Sequence, residues 1–179
     1  MQLKAWYILI AVLSFTFSNP PERWVWEEDR ALRWSDFKGS PDYLLDFAAT
    51  TNSGMSHSYT IDGNGVLDKS SSEVLAHFYP TFSWYKPADT TAAILRHEQS
   101  HFDITEMHAR KLRKRIHEFS FTANSKEEVK KLYEVTEQER RRTQELFDRE
   151  TDHSRNKDQE VLWQKRIKDS LEKYWVFTP

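Results

Sequence analysis

Ala92-Ala-Ile-Leu-Arg-His-Glu-Gln-Ser-His-Phe-Asp-Ile-Thr-Glu-Met-His108 decides how this chain is read. It contains neither Gly nor Pro, and a polar cap at Asp89 or Thr90 precedes it, so it predicts a helix running to about Phe119. At about 100° per residue, Ile94, His97, His101, Ile104, His108, Leu112, Ile116 and Phe119 share one broad face. Gln99, Asp103, Glu106, Arg110, Lys114 and His117 fall on the other, which reads as the solvent side. Within this helix lies His97-Glu98-Gln99-Ser100-His101, the pattern HExxH. Two imidazoles one turn apart can reach a single zinc ion, which needs ligand nitrogens at about 2.1 Å. Glu98, one step round the helix, is placed to act as general base on a water whose pKa the metal lowers to roughly 7. The resulting hydroxide would attack a peptide carbonyl. Seven His and sixteen Glu in 179 residues give by chance about 0.02 such matches per chain.

Working outward, residues 125–149 form a second helix, with Ser125 and Glu128 as a capping box and a charged middle at 137–142. A polar break at 152–157 precedes a third helix carrying Trp163, Ile167, Leu171 and Trp175 at four-residue spacing. Upstream, residues 56–61 and 74–84 read as strands of a small antiparallel sheet, separated by the Asp62-Gly-Asn-Gly65 turn. The expected fold is α+β: a small, mainly antiparallel sheet followed by three helices, with HExxH on the first long helix.

A catalytic zinc keeps three protein ligands and one open position. Glu106 projects from the wrong face, and His108 lies about 10 Å beyond His101 along the helix axis, so the third ligand must come from elsewhere. If the first two helices form an antiparallel hairpin about residues 121–124, the end of the second returns beside His97. That brings Asp148, Glu150 and His153 into reach, with His153 as the expected third ligand. Asp148 is the reserve, as a ligand or as a carboxylate that orients a histidine. His108 is a candidate for packing against or supporting the ligands. His57 and Tyr59 are candidates for lining a substrate cleft if their strand is a sheet edge.

Composition bounds the alternatives. The chain has 38% hydrophobic and 30% charged residues and a formal charge of -2, which suits one folded domain and not a nucleic-acid partner. It has no Cys, so a metal here must be held by imidazole and carboxylate. Residues 1–18 begin with Lys4, continue through an uncharged run from Ala5 to Phe17 and end at Ser18, as a secretory signal peptide does. The run is too short to span a membrane stably. The expected organisation is a cleaved 1–18 and a single domain over 19–179, exported to the periplasm or beyond.

The chain also resembles a bacterial family of unknown function that is classed, by its motif, with secreted zinc-dependent proteases of the zincin superfamily. The resemblance rests on Trp34-Ser-Asp-Phe-Lys-Gly39, Ala48-Ala-Thr-Thr-Asn-Ser-Gly54, Ala76-His-Phe-Tyr-Pro80 with Ser83-Trp84, His97-Glu-Gln-Ser-His-Phe-Asp103, Ala109-Arg-Lys-Leu-Arg113 and Asp148-Arg-Glu-Thr-Asp-His153. It implies a zincin-like fold, zinc as cofactor, a peptide or protein substrate, and His153 as the distal histidine of an Asp-x-x-Thr-x-His pattern. Asp103 departs from the zincin habit of an apolar residue two positions after the second histidine, and its expected place is the solvent face. Two other functions compete: a non-catalytic module stapled by zinc, and a zinc hydrolase acting on a non-peptide amide. The retained Glu98 favours catalysis, because a structural site needs only ligands and closes all four positions.

Overall fold

A computed structural model describes residues 20–179; the signal-peptide reading of residues 1–18 lies outside the described residues. Strands β1 (Trp24–Val25), β2 (Ala49–Thr50), β3 (Ser53–Ile61), β4 (Leu67–Phe78) and β5 (Trp84–Tyr85) are followed by helices α1 (Ala92–Glu118), α2 (Ser125–Thr151) and α3 (Lys157–Lys173). The fold is α+β, with a small antiparallel sheet preceding three helices. β4 pairs with β3 on one side and with β1 on the other, and β2 pairs with β5 in a separate two-stranded ribbon. Among the described residues no helix is long and apolar enough to cross a membrane.

The β3–β4 hairpin closes on the expected turn. Asp62 Oδ1 accepts from the backbone N–H groups of Asn64 and Val66, and Gly65 takes a positive φ of 82°. The strand bounds differ from expectation. β4 begins at Leu67 because Leu67 and Asp68 already pair with Ile61 and Thr60 of β3, ahead of a register irregularity over the polar residues 69–72 where side-chain patterning carries little signal. It ends at Phe78 because Pro80 opens a 3-10 turn, which leaves Trp84 in β5.

Helix starts also differ in detail. Thr91, not Asp89 or Thr90, caps α1 by accepting from Ile94 N–H at 3.1 Å. For α2, Glu128 reaches back to the backbone and hydroxyl of Thr122, while Ser125 Oγ accepts from Leu67 N–H and ties the helix to β4. Trp175 leaves the periodic face of the third helix: α3 ends at Lys173, and Trp175 is exposed in the 3-10 turn that follows.

α1 is covered on both sides. Phe102, Ala109, Leu112 and Ile116 join Val74, Ala76 and Phe78 of β4 in one core, while Ile104 and Met107 join Phe147 of α2 and Trp163 and Ile167 of α3 in another. The face expected to meet solvent is therefore partly covered, with Glu106 and Arg110 buried and His117 exposed, because α3 and the segment around Trp26 lie over its middle. Trp26 Nε1–H donates to Asp103 Oδ1 at 2.8 Å, and burial raises the Asp103 pKa. Glu106 is fully buried; its carboxylate accepts from Arg110 Nε and Arg113 Nη1, each at 2.9 Å. Those guanidinium groups in turn donate to the carbonyls of Leu171, Phe177 and Val74. One carboxylate thus links α1 to the end of α3, the C-terminal turn and β4.

α1 and α2 run antiparallel. His97 meets Asp148, the His101 carbonyl accepts from Gln144, His108 meets Thr143, and Arg115 meets Thr136, so contacts advance along one helix as they recede along the other. The hairpin anticipated from the short link at 119–124 is the observed one.

Two stability measurements follow. Glu106→Ala strands two buried guanidinium groups and is expected to cost about 3–5 kcal/mol in urea unfolding; a loss under 1 kcal/mol would disprove the node. Burial, with Lys111, Arg140 and Arg115 nearby, pushes the His108 pKa from 6.5 down to about 3. Its folded-state pKa lies below the unfolded one, so this stability is present above pH 6.5 and is lost as pH falls toward 3. The loss approaches about 1.4 kcal/mol per pH unit. His108→Gln should therefore show a shallower decline in unfolding free energy between pH 6.5 and 4 than wild type, and parallel declines would refute the assignment.

Candidate metal centre

α1 supplies His97 and His101 one turn apart, and the antiparallel seam carries Asp148 of α2 across to them. Asp148 Oδ1 lies 3.2 Å from His97 Nε2 and 2.9 Å from His101 Nε2. One ligand atom from each residue falls within 4.8 Å of the other two, a grouping that can hold a metal ion. With metal–ligand bonds of about 2.1 Å, neighbouring vertices of a tetrahedron stand about 3.4 Å apart, close to the two distances observed.

Proton counting supports a cation here. His97 faces a carboxylate at each ring nitrogen: Asp148 at Nε2, and Glu160 Oε2 at Nδ1 at 3.1 Å. A neutral imidazole carries one N–H, so one of those contacts sets a lone pair against a carboxylate unless the ring is charged. In the metal-free protein, burial alone would lower the His97 pKa, but the two carboxylates outweigh it and push it up to about 9. Burial likewise opposes ionisation of Asp148, yet His101 and His97 hold it well below the usual carboxylate range. A cation among the three atoms satisfies the same contacts with both imidazoles neutral.

The three convergent side chains stand against an apolar wall. The buried Phe147 ring stacks on His97 at 4.5 Å and meets His101 edge-on at 5.2 Å, with Trp163 behind it at 5.5 Å. In front is a cleft of about 470 Å³, lined among others by Phe47, Ala49, Thr51, Ile94, Glu98 and His153. Glu98 is buried, and its Oε2 has no hydrogen-bond partner among the described residues.

His153 occupies an unusual turn. Asp152, His153 and Ser154 have φ of 47°, 50° and 70°, three successive left-handed residues, none of them glycine. Such positions cost on the order of 1–3 kcal/mol each. The backbone N–H of His153 bonds to Asp148 O, that of Asn156 to Thr151 O, and the His153 ring stacks on Phe47 at 5.7 Å. Its Nδ1 stands 3.8 Å from Asp148 Oδ1, and the imidazole is 45% exposed. It lines the cleft but is not among the three side chains whose potential ligand atoms converge, a group that includes Asp148.

Three other candidates lie apart from the cleft. β3 is an edge strand, but His57 and Tyr59 on it face a separate hollow with Val129, Lys130 and Tyr133 of α2, and His57 Nε2 bonds to Ser72 Oγ. His108 Nε2 bonds to Thr143 Oγ1 within the α1–α2 seam. Sequence reasoning passed over Glu160 and Phe147. An acidic residue in a helix's first turn reads as a complement to the helix dipole, and an apolar ring reads as core.

Residues 58–154, just over half of the chain, match the family model described as "Bacterial protein of unknown function (DUF922)", and the chain belongs to that family. The matched range includes His97, Glu98, His101, Asp148 and His153 and ends before α3. No curated protein and no solved structure is matched.

Metal titration by calorimetry separates the donors. Wild type is expected to bind about one divalent ion per chain, and His101→Ala or Asp148→Ala to weaken binding by about 100-fold or more. His153→Ala should retain the ion. Retention in Asp148→Ala together with loss in His153→Ala would make His153 the third ligand.

Proposed function

We propose that this member of the family is an exported zinc-dependent hydrolase of peptide bonds. The observation that carries the reading is Glu98, which lines the cleft beside His97, His101 and Asp148 and whose buried Oε2 has no hydrogen-bond partner among the described residues. Two imidazoles and one carboxylate form a donor set suited to zinc that leaves a position open for chemistry. When bound, zinc acts as a Lewis acid and lowers the pKa of a water in its coordination sphere. Glu98 accepts a proton from the attacking water and returns it to the leaving amine nitrogen. Asp148 holds the two histidines in register across the helix seam. Phe147 excludes water from behind them, so that the site opens only toward the cleft.

His153, braced by Phe47 at the cleft wall, is the residue we assign to hydrogen-bond the substrate carbonyl oxygen as charge develops on it. Arg96, Tyr59, Tyr174 and His57 are also conceivable donors by residue type, but none of them lines the cleft. A cleft of about 470 Å³ has room for a short segment of chain and not for a folded partner. Export rests on the signal-peptide pattern of residues 1–18.

Glu98→Gln provides the test. The variant should fold and bind zinc with wild-type stoichiometry, while cleavage of an unfolded-peptide library falls by about 10²–10⁴-fold. Undiminished turnover removes Glu98 as base. A zinc-loaded wild type that cleaves no peptide but hydrolyses a non-peptide amide would redirect the substrate and leave the site intact.

A further inference from the structure

Glu160 belongs to the first turn of α3, beyond the residues that the family model covers. It is buried, and its carboxylate is divided between two partners: Oε2 lies 3.1 Å from His97 Nδ1, and Oε1 accepts from Gln164 Nε2 at 3.3 Å. A buried carboxylate is costly unless its partners need it. The helix start does not require one, because exposed Asp158 already places negative charge in that turn and Asn156 caps it by accepting from Gln159 N–H. One turn further on, Trp163 packs edge-on against Phe147, the ring that stacks on His97. α3 therefore reaches His97 twice, once through a hydrogen bond and once through an aromatic wall.

We infer that Glu160 is a positioning residue for the metal centre: it accepts the Nδ1–H of His97 and so fixes the tautomer whose Nε2 lone pair points at the site shared with His101 and Asp148. The inference rests on the metal-centre reading given above. A carboxylate on the far nitrogen of a ligating imidazole locks ring orientation and raises ligand basicity, and removing such a partner usually weakens metal binding by about 10–100-fold. Among the described residues His101 has no comparable carboxylate on its other nitrogen, so the two imidazoles of the motif are supported unequally. The chain's third helix is in this sense a component of the site, although it contributes no ligand.

Full-length mature protein carrying Glu160→Ala, Glu160→Gln or Glu160→Asp distinguishes positioning from packing. Zinc affinity, read by chelator competition, should fall about 10–100-fold in Glu160→Ala with one ion still bound, and fall less in Glu160→Gln, which keeps an acceptor. Glu160→Asp should restore part of the loss. The visible spectrum of the cobalt-substituted protein should shift in Glu160→Ala, reporting altered ligand geometry. A folded Glu160→Ala with unchanged zinc affinity and cobalt spectrum overturns the inference, as does lowered unfolding stability without either change. In metal-free wild type, the Nδ1 proton of His97 should give a slowly exchanging imidazole resonance that Glu160→Ala lacks. If wild type binds no zinc, the metal-centre reading fails by itself, and this resonance still decides whether Glu160 holds His97.

Discussion

Everything near the site depends on α1 being enclosed while carrying polar side chains along its length. A helix buried between a sheet and two other helices cannot leave its polar side chains to water, so they find partners either on the helix itself or in a neighbouring element. Glu106 finds Arg110 and Arg113, Asp103 finds Trp26 and Gln99, Thr105 finds Ser53, and His97 finds Asp148 and Glu160. These pairings fix which residue of each element stands opposite which. The register of the α1–α2 seam is thereby specified by polar partners as much as by Leu112, Ile104 and Phe147.

The same enclosure gives meaning to the exceptions. Among the described residues, three buried side-chain polar atoms lack partners: His77 Nδ1, His108 Nδ1 and Glu98 Oε2. The two imidazoles each satisfy their other nitrogen, on Ser56 and Thr143, and a neutral ring with one unused lone pair is a modest cost. Glu98 is different: it is an acidic group lining an open cleft, one residue from a histidine of the candidate metal centre. In a helix where every other carboxylate has been given a donor, an unsatisfied one beside a cleft is better explained by chemistry than by packing.

The sequence made the helix pair legible because its signals are local and strong. Periodicity located α1, the short link at 119–124 forced an antiparallel return, and that return predicted the arrival of Asp148 and His153 beside His97. The choice between those two acceptors was not legible. It turns on the left-handed run at 152–154, which swings His153 toward Phe47 and leaves Asp148 facing the imidazoles, and no glycine marks that turn. Asp103 and Glu106 fall on the polar face that a single helix's own periodicity marks for solvent; what lies over it is decided by Trp26 and α3, far away in sequence. Glu160 was invisible for the same reason, since a carboxylate in a first turn has an ordinary local explanation and acquires its partner only through tertiary packing.

The strained turn and Glu160 bear on the site from opposite sides, and the contrast separates two kinds of order. Glu160 is buried and acts on a ring whose orientation it shares with Phe147, so His97 has little freedom whichever way the cleft is occupied. His153 is nearly half exposed, held by a stack on Phe47 and by backbone bonds within an unfavourable conformation. A ligand needs the first kind of support, because a metal site gains affinity from preorganised donors. A group that must meet an incoming substrate can tolerate the second, and stored backbone strain at a cleft wall is the form such a contact takes when the surrounding fold over-determines it. On that argument the roles proposed for Asp148 and His153 are consistent with how firmly each is held: the carboxylate among the helices, the imidazole at the mouth.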